Sequence, residues 1–438
     1  MSELHNNQLR LATVGLGNWA GRVVDLLLKQ RAAGAGLINL VSVFEPELGH
    51  HSRRVDALQA LGIRVVDQFD QILNDPHVDA VILPVPIHLH RPLTERALLA
   101  GKAVLVEKPV AGCVQDVDAM ISARDRAKRP VLVSFQDTYD PKMLELKRAI
   151  LQGAIGEVQS ITLVGCWPRD EAYYRRTTWA GHIQHEGCWV LDSPVTNAFA
   201  HYLHLAFFLL GDRESSWAQP TSVEAELYRA YDIENYDTAS HRFIAAGVPV
   251  LVLLTHACKQ SIGPHICVTG KRGTIQIDLH ERFARITNER GSEVLRLSPD
   301  SRVDALDAFA KHVQNQPVDC ALSTLEAARV HVVATNGASQ AAIVRQVPTS
   351  DVVPGVSPDG EPCRFIPGIE QAMLQCGERG QTLHESGLMN WTVPGGTLSL
   401  LGYSEFRGVP TSSTFVKNIA HRNHRTTRVD ETGVGSDA

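Results

Sequence analysis

The stretch that decides the fold is Arg10-Leu11-Ala12-Thr13-Val14-Gly15-Leu16-Gly17-Asn18-Trp19-Ala20, an apolar strand-like run that passes through two glycines into a helical pattern from Arg22 to Gln30. Gly15, Gly17 and Ala20 fit G-x-G-x-x-G/A, the turn that cradles the pyrophosphate of a dinucleotide. Gly15 allows the tight turn, Gly17 lets the backbone approach an anion, and the small Ala20 lets helix and strand pack closely. The amides from Asn18 and Trp19 onward then offer free N–H groups and the positive end of a helix dipole. The next strand-like run ends in Val43-Phe44-Glu45, where an acid accepts hydrogen bonds from the adenosine ribose. Taken alone, Glu45 reads equally well as a solvated strand-end charge. With the turn and its context it points to NAD, because a carboxylate there repels a 2′-phosphate; Arg22 and Arg53 or Arg54 keep NADP open.

Outward from this turn, strand-like runs at Leu40–Phe44, Arg64–Val66, Asp79–Leu83, Ala103–Val106 and Val131–Phe135 alternate with helical patterns at Arg91–Ala100 and Val114–Lys128. That alternation predicts an N-terminal Rossmann domain, a doubly wound parallel sheet, over residues 8–137. After Pro141 a helix to Gly153 gives way to long alternating strands at 158–164, 223–231, 240–245, 250–255 and 274–279, with Ala246-Gly247 as a hairpin turn. These predict an α+β domain with a large open, mainly antiparallel sheet over residues 138–346. Ser323 and Glu326 read as a capping box opening a helix to Val344. Residues 347–438, rich in Pro and Gly and ending in a polar His/Arg-rich tail, are expected to form a partly ordered extension, with a short helix and a strand pair around Trp391 to Tyr403.

With 438 residues, 44% apolar and 21% charged, the chain is long enough for two globular domains. A net charge of −6 argues against general nucleic-acid binding, which needs a basic surface. No run is long and apolar enough for a membrane span, and the first ten residues lack a signal-peptide pattern, so a soluble, cytoplasmic protein is expected. The eight cysteines form no C-x-x-C pair and read as buried thiols.

Two later blocks carry a specific resemblance. Pro86-Ile87-His88-Leu89-His90 resembles T-P-N-x-x-H, and Ala100-Gly101-Lys102-Ala103-Val104-Leu105-Val106-Glu107-Lys108-Pro109 closely resembles A-G-K-H-V-x-x-E-K-P. Both are motifs of the glucose–fructose oxidoreductase/inositol dehydrogenase/MocA family, and the likeness covers roughly residues 8 to 345. It implies nicotinamide-dependent oxidation or reduction of a secondary alcohol on a sugar, inositol or related polyol. It also implies a homo-oligomer assembled through the open sheet, and a cofactor site that includes Pro86, His90, Glu107 and Lys108.

Pro109 restricts the chain so that Lys108 projects over the strand ends, where a lysine stabilises a developing alkoxide. The alternative is a surface lysine paired with Glu107. The family's D-x-x-x-H-x-x-D block aligns with Asn197-Ala198-Phe199-Ala200-His201-Tyr202-Leu203-His204, ahead of the apolar run ending at Gly211. The resemblance makes His201 the acid/base; a structural histidine is the other reading. Two departures stand out: Asn197 replaces the carboxylate and His204 the later acid. Asp192, five residues upstream, either supplies the missing carboxylate and orients His201 or caps a helix ahead of Ser193-Pro194.

Arg169, Tyr173, Tyr174, Arg176 and Trp179 lie in one loop whose aromatic faces and guanidinium groups suit a polyhydroxylated ligand or an oligomer interface. His204 joins them as a substrate contact. No metal is expected, since no Cys or carboxylate cluster completes the histidines at zinc-like spacing. Two other functions stay open: a glycosidase of the same family that oxidises its substrate transiently, and a non-catalytic dinucleotide-sensing regulator.

Overall fold

The computed structural model describes residues 8–34 and 36–410. Its first layer is a six-stranded sheet of β1 (Leu9–Val14), β2 (Ile38–Phe44), β3 (Arg64–Val66), β4 (Ala80–Leu83), β5 (Ala103–Val106) and β6 (Val131–Val133). The order is β3-β2-β1-β4-β5-β6, and every pairing is parallel. The strands are apolar on both faces because helices cover both: α1 (Asn18–Ala32), α2 (Ser52–Ala60), α3 (Phe69–Leu73), α4 (Ile87–Leu99) and α5 (Val114–Ala127). The strand order reverses between β1 and β4, which opens a crevice at their carboxyl ends.

Helix α6 (Pro141–Leu151) is capped by the Asp140 side chain and leads into β7 (Val158–Cys166). The short helix α7 (Glu171–Arg175) and the hairpin β8 (Gln184–His185) and β9 (Cys188–Trp189) precede α8 (Ala200–Leu210). Then come β10 (Pro220–Arg229), β11 (Thr238–Ala245), β12 (Val248–Thr255), β13 (Ile262–Gly270), β14 (Gly273–Asp278), β15 (Phe283–Asn288) and β16 (Gly291–Arg296). They form a large sheet in the order β16-β15-β14-β13-β7-β12-β11-β10, antiparallel except where β7 meets β12. Ala246 and Gly247, at φ of 51° and 75°, make the tight β11–β12 turn. The sequence reading had missed β13, β15 and β16.

Helices α9 (Ser301–Val313) and α10 (Leu325–Ala341) follow. The cap of α10 is Thr324, which accepts from the Ala327 amide, so the expected Ser323–Glu326 box is corrected by one residue. Glu326 instead pairs with Arg124.

The extension is built into the sheet. It comprises β17 (Arg345–Gln346), a hairpin of β18 (Val353–Val356) and β19 (Pro362–Phe365), α11 (Ile369–Arg379), α12 (Leu383–Ser386) and β20 (Gly396–Ser399). In place of the expected strand pair near Trp391, a single strand, β20, joins the edge of β10. The His/Arg-rich tail lies outside the described residues.

One face of the large sheet packs on α8 and α10. On the other, Ile369, Met373 and Cys376 of α11 bury Val164, Leu251 and Leu253. Gly377 sits so close that a Cβ there would meet the Val164 side chain at 2.8 Å. Beyond α11 the same face turns polar, with Cys267, Gln276 and Arg285 in register. The chain's own helix α11 thus covers the apolar half of this face, and the polar half is the part of the sheet left open.

No helix among the described residues is long and apolar enough to cross a membrane.

Candidate active site

The crevice outside β1 and β4 has a volume of about 1010 Å³ and runs from the glycine turn to Lys108, Asn197 and His201. At its floor Gly15 has a φ of +92°, and a Cβ there would meet the Ala20 Cβ at 3.1 Å. This is the close helix–strand packing expected of the motif. Gly17 caps α1 without any side-chain hydrogen bond to the first amides. The nearest atoms to a Cβ built on Gly17 lie 3.7 Å away, on His51, so the approach to those amides is open. An uncapped helix N-terminus facing an open crevice fits a dinucleotide pyrophosphate.

Asn18, Trp19 and Pro86 also line the crevice, as does Glu45. The Glu45 carboxylate accepts from the Leu16 amide at 2.8 Å and from the Glu47 amide at 3.0 Å. It therefore fixes the glycine turn as well as facing the crevice. Glu107 is buried, which raises its pKa, while the Trp19 indole, the Lys108 charge and the Ser134 hydroxyl work against that rise.

His90 is buried behind the wall. Its ring lies between the Pro109 carbonyl (Nδ1, 3.0 Å) and the Val85 carbonyl (Nε2, 2.9 Å), and burial lowers its pKa to about 4. It ties the Val85-Pro86 turn to the Lys108-Pro109 turn.

Lys108 donates from Nζ to the Asn197 backbone carbonyl at 2.9 Å and to Asn197 Oδ1 at 3.2 Å. The Asn197 amide nitrogen in turn donates to Asp192 Oδ1 at 2.7 Å. The second Asp192 oxygen accepts from the Gly181 amide at 2.7 Å. Burial lowers the pKa of Lys108, while the Glu107 and Asp192 charges work against that fall. The carboxylate is thus present, five residues upstream of the family position, with Asn197 passing its influence to the lysine. Of the two readings of Asp192, the cap is excluded: the turn at Pro194–Ala198 is capped by Ser193, which accepts from the Thr196 amide. Nor is Asp192 hydrogen-bonded to His201.

The carboxylate nearest His201 is one the sequence reading missed. Asp137 Oδ2 lies 4.0 Å from His201 Nδ1, which is buried without a hydrogen-bond partner. Asp137 Oδ1 accepts from Arg282 and Ser301. Burial and the Lys108 charge hold the His201 pKa well below its ordinary value, so the ring is neutral near pH 7. Asp137 had a sequence signal: it follows the last parallel strand, at the carboxyl end where ligands bind.

The loop residues divide. Arg176 and Trp179 line the crevice, with Arg176 stacked 3.6 Å above the Tyr173 ring. Arg169 lies 4.7 Å from the same ring, while Tyr174 faces a separate hollow of about 540 Å³ beside Arg364. The structure does not bring His204 to the crevice. It is fully buried, stacked 3.8 Å from Phe135, and replaces an acid where an unpaired charge would be costly.

Residues 9–135 match the family described as the oxidoreductase family, NAD-binding Rossmann fold. An oxidoreductase of Rhizobium meliloti is 33% identical over 152 residues, 34% of this chain and 44% of that protein. The inositol 2-dehydrogenase of the same species is 25% identical over 214 residues, 49% of this chain and 60% of that protein. The chain thus spans less than two thirds of the length of these relatives. A dehydrogenase from Bordetella pertussis, solved with NADH and UDP-GlcNAcA, shares the fold at a TM-score of 0.60 with 21% identity, over 75% of this chain and 95% of that one.

Fold and crevice define a dinucleotide-binding oxidoreductase architecture. Over residues 9–135 the chain matches the NAD-binding Rossmann domain of the glucose–fructose oxidoreductase/inositol dehydrogenase/MocA family.

Proposed function

We propose that the chain is an NAD-dependent oxidoreductase acting on a secondary alcohol of a sugar, inositol or sugar-derived substrate. The observation that carries this reading is the convergence of Lys108, Asn197 and His201 on one end of the crevice that begins at the glycine turn. Gly15, Gly17, Ala20 and Glu45 would hold the dinucleotide, which when bound accepts or donates a hydride.

The residues divide the proton work. A carbinol carbon loses hydride only as its hydroxyl loses a proton, so a base and an alkoxide stabiliser must stand together. His201, neutral in this environment, takes the proton. Lys108 as an ammonium has three N–H groups; two are held by Asn197, leaving one for the substrate oxygen. Asp192 fixes the amide so that its oxygen faces the lysine. Arg176 and Trp179 would meet the hydroxylated substrate, in keeping with an inositol dehydrogenase among the relatives.

The regulator reading rested on Asn197 and His204. Asn197 has a partner carboxylate in Asp192, and His204 lies away from the crevice, so neither departure argues against chemistry. The three-part division at residues 137/138 and 346/347 and a cytosolic location belong to the same proposal. The test is to screen a polyol, sugar and sugar-acid panel by NADH fluorescence with purified full-length protein. Substrate-dependent NADH release supports the dehydrogenase; glycoside turnover without net NADH would favour the glycosidase.

A further inference from the structure

Hairpin β8–β9 carries His185 and Glu186 to the N-terminal turn of α4, where His88 stands. The two imidazole rings are 4.8 Å apart between centroids and tilted by 59°. One ligand atom from each of His88, His185 and Glu186 lies within 4.8 Å of the other two, and no other group of three His, Cys, Asp or Glu does so among the described residues. His88 Nδ1 is also buried with no hydrogen-bond partner. A buried ring nitrogen without a partner is unusual, because the lost solvation is uncompensated.

We propose that His88, His185 and Glu186 form a binding site for a divalent transition-metal ion of zinc-like chemistry, which clasps the β8–β9 hairpin to helix α4. Two imidazoles and one carboxylate suit zinc, whereas magnesium and calcium prefer all-oxygen sets. Ligand bonds of about 2.0–2.2 Å put tetrahedral ligand atoms ~3.4 Å apart, so atoms already within 4.8 Å of one another have only a short distance to close. A fourth position stays open to water.

The consequence is mechanical. His88 lies between Ile87 and Leu89, which line the crevice on one side, and the segment before the hairpin supplies Thr177 and Trp179 to the other. The far side of the hairpin is already held by Phe406, whose ring meets Trp189 at 5.0 Å. An ion at His88 would fix the near side as well. This inference does not depend on the proposed reaction.

The test uses the full-length protein after EDTA treatment and dialysis, titrated with Zn²⁺ by calorimetry and with Co²⁺ by visible absorption. One equivalent should bind, with a d–d spectrum that shows nitrogen ligands. His88→Gln and His185→Gln should each weaken binding about tenfold or more, while His421→Gln/His424→Gln, which removes the histidine pair in the tail, should not. Zinc should also slow proteolysis between Trp179 and Trp189. If a histidine variant does not fold, Glu186→Gln, on a mostly exposed side chain, must still weaken binding. No binding, or equal affinity in the wild type and these three variants, overturns the site.

Discussion

The Asn197 side-chain amide donates to Asp192 Oδ1 over 2.7 Å and accepts from Lys108 Nζ over 3.2 Å, so it links a buried carboxylate to the lysine at the end of the crevice. An aspartate at position 197 would put two carboxylates at that distance, so the acid at 192 and the amide at 197 make sense only together. Asp192→Asn should leave NAD affinity nearly unchanged and lower kcat by about 10²-fold, since the lysine loses its fixed position.

The same pair sets a pH limb. Lys108 must be protonated to stabilise the alkoxide, so kcat for alcohol oxidation should fall as pH rises through its lowered pKa, below the ordinary 10.5. The Asp192 charge favours the ammonium, so Asp192→Asn should move this alkaline limb to lower pH. A limb unmoved or shifted upward in the kcat profile would separate Asp192 from Lys108.

At the glycine turn, space alone decides the outcome. Gly17→Val should leave the fold intact, because no protein atom comes within 3.7 Å of a Cβ there, yet abolish dinucleotide binding by filling the approach. NAD(H) should bind more tightly than NADP(H) to the wild type. Fluorescence titration giving NADP a tenfold advantage would remove Glu45 from its role.

Asp137 is the residue placed to receive the Nδ1 proton of His201 once the ring is charged. Asp137→Asn should lower kcat and leave the KM for NAD unchanged. A lower Tm with wild-type kcat at temperatures where the variant is folded would reduce Asp137 to a partner of Arg282.

Much of this was legible in the sequence, because local rules act on local spacing. The glycine turn, the parallel strands and the Ala246-Gly247 hairpin are each decided by a few adjacent residues. The strands at 262–270, 283–288 and 291–296 were not legible, since Gly263-Pro264 and exposed polar positions blur their alternation. Asp137 and Asp192 could not be sorted from sequence: one lies 64 residues from His201 and reaches it only through the fold, while the other is near in sequence but turned to Asn197. The role of α11 was hidden as well, because its stripe of Ile369, Met373 and Cys376 gives no sign of which face it covers.

That stripe gives a stability prediction. Met373→Asp places an unpaired charge against Val164 and Leu253, so it should cost about 3 kcal/mol or more. It should also promote self-association through the uncovered sheet. Light scattering showing a lower Tm without any change in mass would mean that this face does not associate when bared.

The most direct measurement is single-turnover hydride transfer, followed by NADH absorbance, once the panel yields a substrate. Lys108→Met and His201→Ala should each slow transfer by about 10²-fold or more, with folding preserved by circular dichroism. The double variant should be less than additive, because both residues serve one proton-transfer step. Wild-type transfer rates in both folded single variants would contradict the account.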